Sequence, residues 1–218
     1  MGLGVLICGE SGSGKSASLR NFEREEVMVF SLHKTRLPFK KQLNIKSLDN
    51  MAYTERYDVI KSYMRQLQDK CKVFVIDDCD YLMFFEQQQR SNERGYDKYV
   101  EIADKYVGLK KFCKELKDDV IVYFLSHVEL DKDTGKARAI TAGHMIDKQL
   151  GTYEALFENV LLCEARDGKH VFITKSDGTN TAKTAMDMFE ESVIDNDLKY
   201  VDEKIREYYE IGLEREEK

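Results

Sequence analysis

Two regimes of apolar patterning alternate along the 218 residues: short unbroken apolar runs, and longer stretches in which apolar residues recur every third or fourth position. The short runs are Leu3 to Cys8, Val27 to Phe30, Val73 to Ile76 and Val120 to Leu125. Runs of this kind suit strands buried on both faces of a parallel sheet. Two further strands are predicted at Leu156 to Cys163 and His170 to Thr174, joined by a hairpin turn at Arg166-Asp167-Gly168-Lys169. Helical spacing places Tyr53, Tyr57, Ile60, Met64, Leu67 and Cys71 on one buried stripe, and Tyr99, Ile102, Ala103, Tyr106, Leu109, Cys113 and Leu116 on another. Ala17 to Glu25 reads as the first helix. A last helix at about 197–213, striped by Leu198, Val201, Ile205 and Tyr208, runs into a charged tail at 214–218. Pro38 marks an irregular stretch, Glu86 to Arg94 reads as a polar connection, and Asp131 to Leu150 shows little apolar period. Strands alternating with helices predict an α/β fold of three layers, a mostly parallel sheet flanked by helices.

Composition narrows this only modestly. No proline- or glycine-rich linker divides the chain, so residues 1–218 are expected to form a single domain. A domain of this size buries about 70% of its unfolded surface, enough for a core without disulfides. Cys8, Cys71, Cys79, Cys113 and Cys163 are scattered and form no C-x-x-C pair, which fits a reducing, cytoplasmic setting. The first apolar run is too short for a signal peptide, and Leu6 stands where a myristoylation signal wants Ser or Thr. No stretch approaches the ~20 apolar residues of a membrane span, so no membrane partner is expected. The net charge of −6 means that any nucleic-acid contact must use a local patch. Two segments offer one: Lys34, Arg36, Lys40, Lys41 and Lys46, and Lys132, Lys136, Arg138 and Lys148.

The chemistry is concentrated at Gly9-Glu10-Ser11-Gly12-Ser13-Gly14-Lys15-Ser16, a complete Walker A string between a predicted strand and a predicted helix. Its glycines let successive N–H groups turn inward on a phosphate, with Ala17 extending the cradle into the helix. Lys15 is expected to reach the β- and γ-phosphates of ATP, and the Ser16 hydroxyl to ligate Mg2+. The apolar run Val73 to Ile76 closes on Asp77 and Asp78, a Walker B pattern. Asp77 is then a second magnesium ligand, and Asp78 the group that orients the attacking water. A helix N-cap is the other use of such an aspartate, and Asp80 could fill it. His127, one strand further on, is a candidate sensor of the γ-phosphate.

About sixty residues separate Lys15 from Asp77, with a strand and a helix between them. This suggests that another strand lies between the two Walker strands, as in RecA-like and AAA-type ATPases; small-molecule kinases and GTPases usually place them side by side. Thr174-Lys175-Ser176-Asp177 matches a guanine-reading pattern, but D-x-x-G is missing, since Asp80 and Tyr81 stand three places after Asp77 and Asp78. A nucleotide kinase would want an arginine-rich lid, and none is found, only the scattered Arg138 and Arg166.

The whole pattern resembles the small ATP-binding proteins of phage replication and recombination modules, which share a minimal RecA-like ATPase core. The resemblance is carried by Gly9 to Asn21, Leu37-Pro38-Phe39, Val75-Ile76-Asp77-Asp78 with Tyr81-Leu82-Met83, and Gly95-Tyr96-Asp97-Lys98. It continues in Leu125-Ser126-His127, Asp177 to Lys183, and Asn196 to Asp202. It implies a recombination or single-strand annealing ATPase that acts on single-stranded DNA, alongside a single-strand-binding protein, in the host cytoplasm. A homo-oligomer, ring or filament, would then carry ATP at protomer interfaces, with Lys175 or Lys183 as the basic finger from the neighbour. DNA would lie along Lys132 to Lys148. The chain departs from RecA in lacking a separate N-terminal polymerisation segment, and in having Ser31-Leu32-His33 where a catalytic glutamate ends the second strand. Glu10 and Asp78 are the substitutes, with Asp78 preferred. The contrasting reading is a nucleotide-gated adaptor that binds ATP, barely hydrolyses it and recruits a protein.

Overall fold

The unbroken apolar runs become the centre of an eight-stranded sheet in the computed structural model, which describes residues 1–33, 36–143 and 145–212. In chain order the strands are β1 (Leu3–Gly9), β2 (Val27–Ser31), β3 (Asn44–Ser47), β4 (Val73–Asp77), β5 (Ile121–Ser126), β8 (Val160–Arg166), β9 (Lys169–Ile173) and β10 (Val193–Asp195). A separate small hairpin pairs β6 (Val128–Leu130) with β7 (Ala137–Ala139). The order across the large sheet is β10-β9-β8-β1-β5-β4-β2-β3. Only β9 runs against the others.

Alternate strand residues feed two cores. Leu6, Cys8, Phe30, Phe74, Ile76, Val122 and Phe124 pack against α1 (Tyr53–Leu67), α2 (Tyr81–Gln89), α3 (Asp97–Phe112) and α4 (Met145–Leu150). Val5, Ile7, Val29, Val75, Tyr123 and Leu125 face the other way, under Leu19, Phe22 and α5 (Leu198–Tyr209). The mixed α/β architecture with a mostly parallel sheet is therefore as the sequence predicts. Parallel pairing brings the ends of β1, β2, β4 and β5 to a common carboxyl edge.

Several elements differ from expectation. The first helix is only a six-residue 3-10 turn, Ser16–Asn21. The Ser18 hydroxyl donates to the Lys15 carbonyl at 2.6 Å, and such side-chain bonds compete with an α-helical ladder. The polar connection at 86–94 is in part α2, because Glu86 is buried and held by Arg90 and Lys105. Residues 153–156 are a 3-10 turn, and the strand begins at Val160. The weakly patterned stretch 131–150 contains β7 and α4. The final helix starts after Asp197, whose carboxylate accepts from the Lys199 and Tyr200 amides, and it ends at Tyr209 where Glu210 turns left-handed (φ 54°). The tail at 214–218 lies outside the described residues. Strands β3 and β10 were not anticipated. The hairpin at 166–169 forms as expected, with Asp167 and Gly168 both at positive φ, the backbone of a type I′ turn.

All five cysteines are free and buried. Burial raises their thiols above the ordinary value, Cys113 to about 12 and Cys163 to about 11. A thiol reagent added to the native protein at neutral pH is therefore expected to modify no cysteine within minutes, and all five after denaturation. Rapid labelling of one thiol in the native state would show that its segment is open. Among the described residues no helix is long and apolar enough to cross a membrane.

Candidate functional site

The loop after β1 is fixed from both sides. Ser13 N–H donates to the Glu10 carbonyl at 3.1 Å, and the Cys163 thiol of β8 donates to the Ser13 carbonyl at 3.1 Å. Gly12 (φ 81°) and Gly14 (φ 104°) supply left-handed turns that side chains rarely adopt. Gly14 has a second reason to be glycine, since a Cβ there would come within 2.6 Å of the His170 ring. Lys15 is almost fully buried, and its ammonium donates to the carbonyls of Gly9 at 2.8 Å and Glu10 at 3.0 Å. Burial lowers its pKa below the usual lysine value, against the opposing pull of Asp78 and Asp80.

A side-chain contact joins the glycine loop to the end of β4. The Ser16 hydroxyl donates to the Asp77 carboxylate, at 2.8 Å to Oδ1 and 3.1 Å to Oδ2. Strand β5 lies between β1 and β4, so this bond reaches across the end of one strand at the carboxyl edge. A cavity of about 310 Å3 opens above it, lined by Ser11, Gly12, Gly14, Lys15, Ser16, Ala17, Arg36, Leu37, Pro38, Asp78, His127 and His170. Asp77 itself is buried at the end of β4, level with Ser31 of β2.

Asp78 adopts a left-handed backbone (φ 56°), which strains a non-glycine residue and turns its carboxylate between two imidazoles. His33 Nε2 lies 3.6 Å from Oδ2, and His127 Nε2 lies 3.6 Å from Oδ1. His127 is oriented by Asp80, which accepts from the His127 backbone N–H at 3.0 Å and faces Nδ1 at 3.0 Å. A carboxylate can only accept, so this contact favours the proton on Nδ1. Asp80 stands just before α2 yet makes no side-chain cap there, because its carboxylate is turned to His127. Tyr81 packs between the histidines, with centroids 4.7 Å from His33 and 5.6 Å from His127.

The structure brings Lys15, Ser16, Ala17, Asp77, Asp78 and His127 together at the carboxyl edge. Glu10 and Ser13 belong to the loop but not to the cavity wall. Lys175 and Lys183 stand elsewhere: β9 runs away from the glycine loop, Lys183 bridges Val160 at the level of Leu6, and both lysines are exposed. His33, Asp80, Arg36 and His170 were not singled out as site residues. Only the position of His33, at the end of the second strand, carried a signal.

The Lys132 to Lys148 loops mix acids with their bases. Arg138 is engaged by Glu129 at 3.2 Å, Asp131 at 3.4 Å and Asp147 at 3.1 Å. The hollow there is lined by four carboxylates against three cations.

Among the described residues, no group of three or more His, Cys, Asp or Glu side chains is placed to hold a metal. Ser16 and Asp77 offer two hard oxygens at the cavity floor, a donor set suited to magnesium that takes its remaining oxygens from water and phosphate. These features define the chain as an α/β protein with a mostly parallel sheet and a glycine-loop cavity at its carboxyl edge. No protein-family model matches the chain, and no curated protein matches it.

Proposed function

We propose that the protein binds and hydrolyses ATP as a P-loop NTPase with a RecA-like core, acting on single-stranded DNA in phage recombination or replication. The observation that carries this reading is the Ser16–Asp77 hydrogen bond beneath a cavity walled by the glycine loop. Strand β5 between β1 and β4 supports the RecA-like and AAA-type arrangement over that of kinases and GTPases. The guanine-pattern residues Thr174 to Asp177 follow β9 away from the loop, and the Asp177 carboxylate is taken by Thr179 and Asn180. Of the two arginines considered for a kinase lid, Arg138 is tied to three acids and Arg166 to Glu164.

Backbone N–H groups of Gly12, Gly14, Lys15 and Ser16 hold the phosphates, and Lys15 exchanges its two carbonyl partners for phosphate oxygens. Magnesium, when bound with the nucleotide at Ser16 and Asp77, supplies charge neutralisation. Asp78 accepts a hydrogen bond from the attacking water, and His127, oriented by Asp80, faces the same space. Lys175 and Lys183 act in trans, on a neighbouring copy in a head-to-tail homo-oligomer. A single-strand-binding protein is the proposed protein partner.

A second reading is a nucleotide-gated adaptor with little turnover. It is favoured by the end of β2, where Ser31 and His33 stand in place of a carboxylate. Steady-state hydrolysis with and without single-stranded DNA separates the two. Stimulation by DNA is expected for the motor or annealing factor; tight ATP binding with negligible turnover in both conditions would leave only the adaptor.

A further inference from the structure

The electropositive surface of this acidic protein adjoins the nucleotide cavity. A cleft of about 690 Å3 runs from Arg36 and Leu37 to the edge strand β3. Arg24, Arg36, Lys40 and Lys41 line it, and no carboxylate does. Arg24 is positioned by Asn44, donating from Nε to Oδ1 at 3.0 Å, and Lys41 pairs with Glu23 at 2.6 Å. Arg36 and Lys40 are exposed, and no ion pair engages either among the described residues. Leu37 and Phe39 are half-buried against the α5-side core and give the cleft an apolar wall.

We infer that this cleft, and not the Lys132 to Lys148 loops, takes the backbone of single-stranded DNA, with a base stacked on Phe39. The inference rests on the reading of the protein as acting on single-stranded DNA, and adds where the strand lies. Four cations without a lining carboxylate match a polyanion, whereas the hollow around Arg138 carries more acids than bases. An aromatic ring among cations suits unpaired bases, whose faces are free to stack. Arg36 and Leu37 line both the cleft and the nucleotide cavity, so the two ligands share a wall. That wall couples them: ATP changes the affinity for DNA by the same factor as DNA changes the affinity for ATP.

The test is fluorescence anisotropy of a labelled oligothymidylate at several salt concentrations. The variants are Lys40→Glu/Lys41→Glu, Phe39→Ala, and Lys132→Glu/Lys136→Glu. None of these residues lines the nucleotide cavity, so binding of a fluorescent ATP analogue and thermal unfolding report on folding. The cleft variant is expected to bind the strand about tenfold or more weakly at low salt, with a log–log salt slope shallower by about 1.4. Phe39→Ala loses part of the affinity with the slope unchanged, and the loop variant binds like wild type. Equal binding by wild type and the cleft variant, or loss confined to the loop variant, overturns the cleft while leaving the DNA reading intact. No binding by wild type overturns both. Photocrosslinking of a bromodeoxyuridine strand to wild type needs no variant: adducts in 36–45 support the cleft, and adducts in 132–148 overturn it.

Discussion

Lys15→Ala is expected to abolish ATP turnover and to weaken triphosphate binding by roughly ten- to a hundredfold, the worth of one charged hydrogen-bonding group. The lysine is unusual in having been driven into the protein interior, where its ammonium donates to the carbonyls of Gly9 and Glu10. Burial works against its charge, and Asp78 and Asp80 work in favour of it. A phosphate is a stronger partner than either carbonyl, so a bound nucleotide draws the amine outward and relieves a poorly compensated charge. Alanine removes that cation at the point where charge develops during phosphoryl transfer, and kcat should fall by about 10²–10³ or more. Titration of a fluorescent ATP analogue, with phosphate release measured in parallel, checks both figures. Wild-type-like turnover in the variant would mean that any hydrolysis comes from another site.

Asp77→Asn separates binding from chemistry. The amide is nearly isosteric and can still accept from the Ser16 hydroxyl, so the 2.8 Å contact and the fold should survive. What disappears is the negative charge at the floor of the cavity. ATP should still bind, with a weaker dependence on magnesium, while kcat falls by about 10²–10³. A magnesium titration of hydrolysis at saturating ATP measures it. Unchanged kcat and an unchanged magnesium midpoint would remove Asp77 from the site.

Some of this arrangement was legible in the chain because it is local. Val73 to Asp77 is an apolar run closed by acids, and a strand buried on both faces must end where its carboxylates can leave the core. The glycine loop is equally local. Strand β3 was hidden because it is an edge strand: Asn44-Ile45-Lys46-Ser47 has one apolar residue and no fully buried one, so no run marks it. The short turn at Ser16–Asn21 depended on how Ser18 spends its hydroxyl, which helical periodicity does not record.

The polar shell of Asp78 is a different case. His33, Asp80 and His127 converge only because β2 and β5 flank β4, and strand order is a tertiary fact. Charge behaved the same way. The basic residues at 132–148 counted as a patch in the sequence, yet the hairpin of β6 and β7 folds Glu129 and Asp131 onto Arg138, with Asp147 closing from α4. In the other segment Glu23 pairs with Lys41 from outside the cleft wall, while Arg36 and Lys40 line the cleft with no ion pair among the described residues.

In the proposed reading, the glycine loop, Ser16 and Asp77 form one magnesium–triphosphate site. Calorimetric titration of ATP into the wild-type protein, with magnesium and then with a chelator, tests it most directly. Saturable binding that tightens when magnesium is present and is lost or greatly weakened in Lys15→Ala is expected; absence of binding in wild type, or equal binding by wild type and Lys15→Ala, would rule this site out.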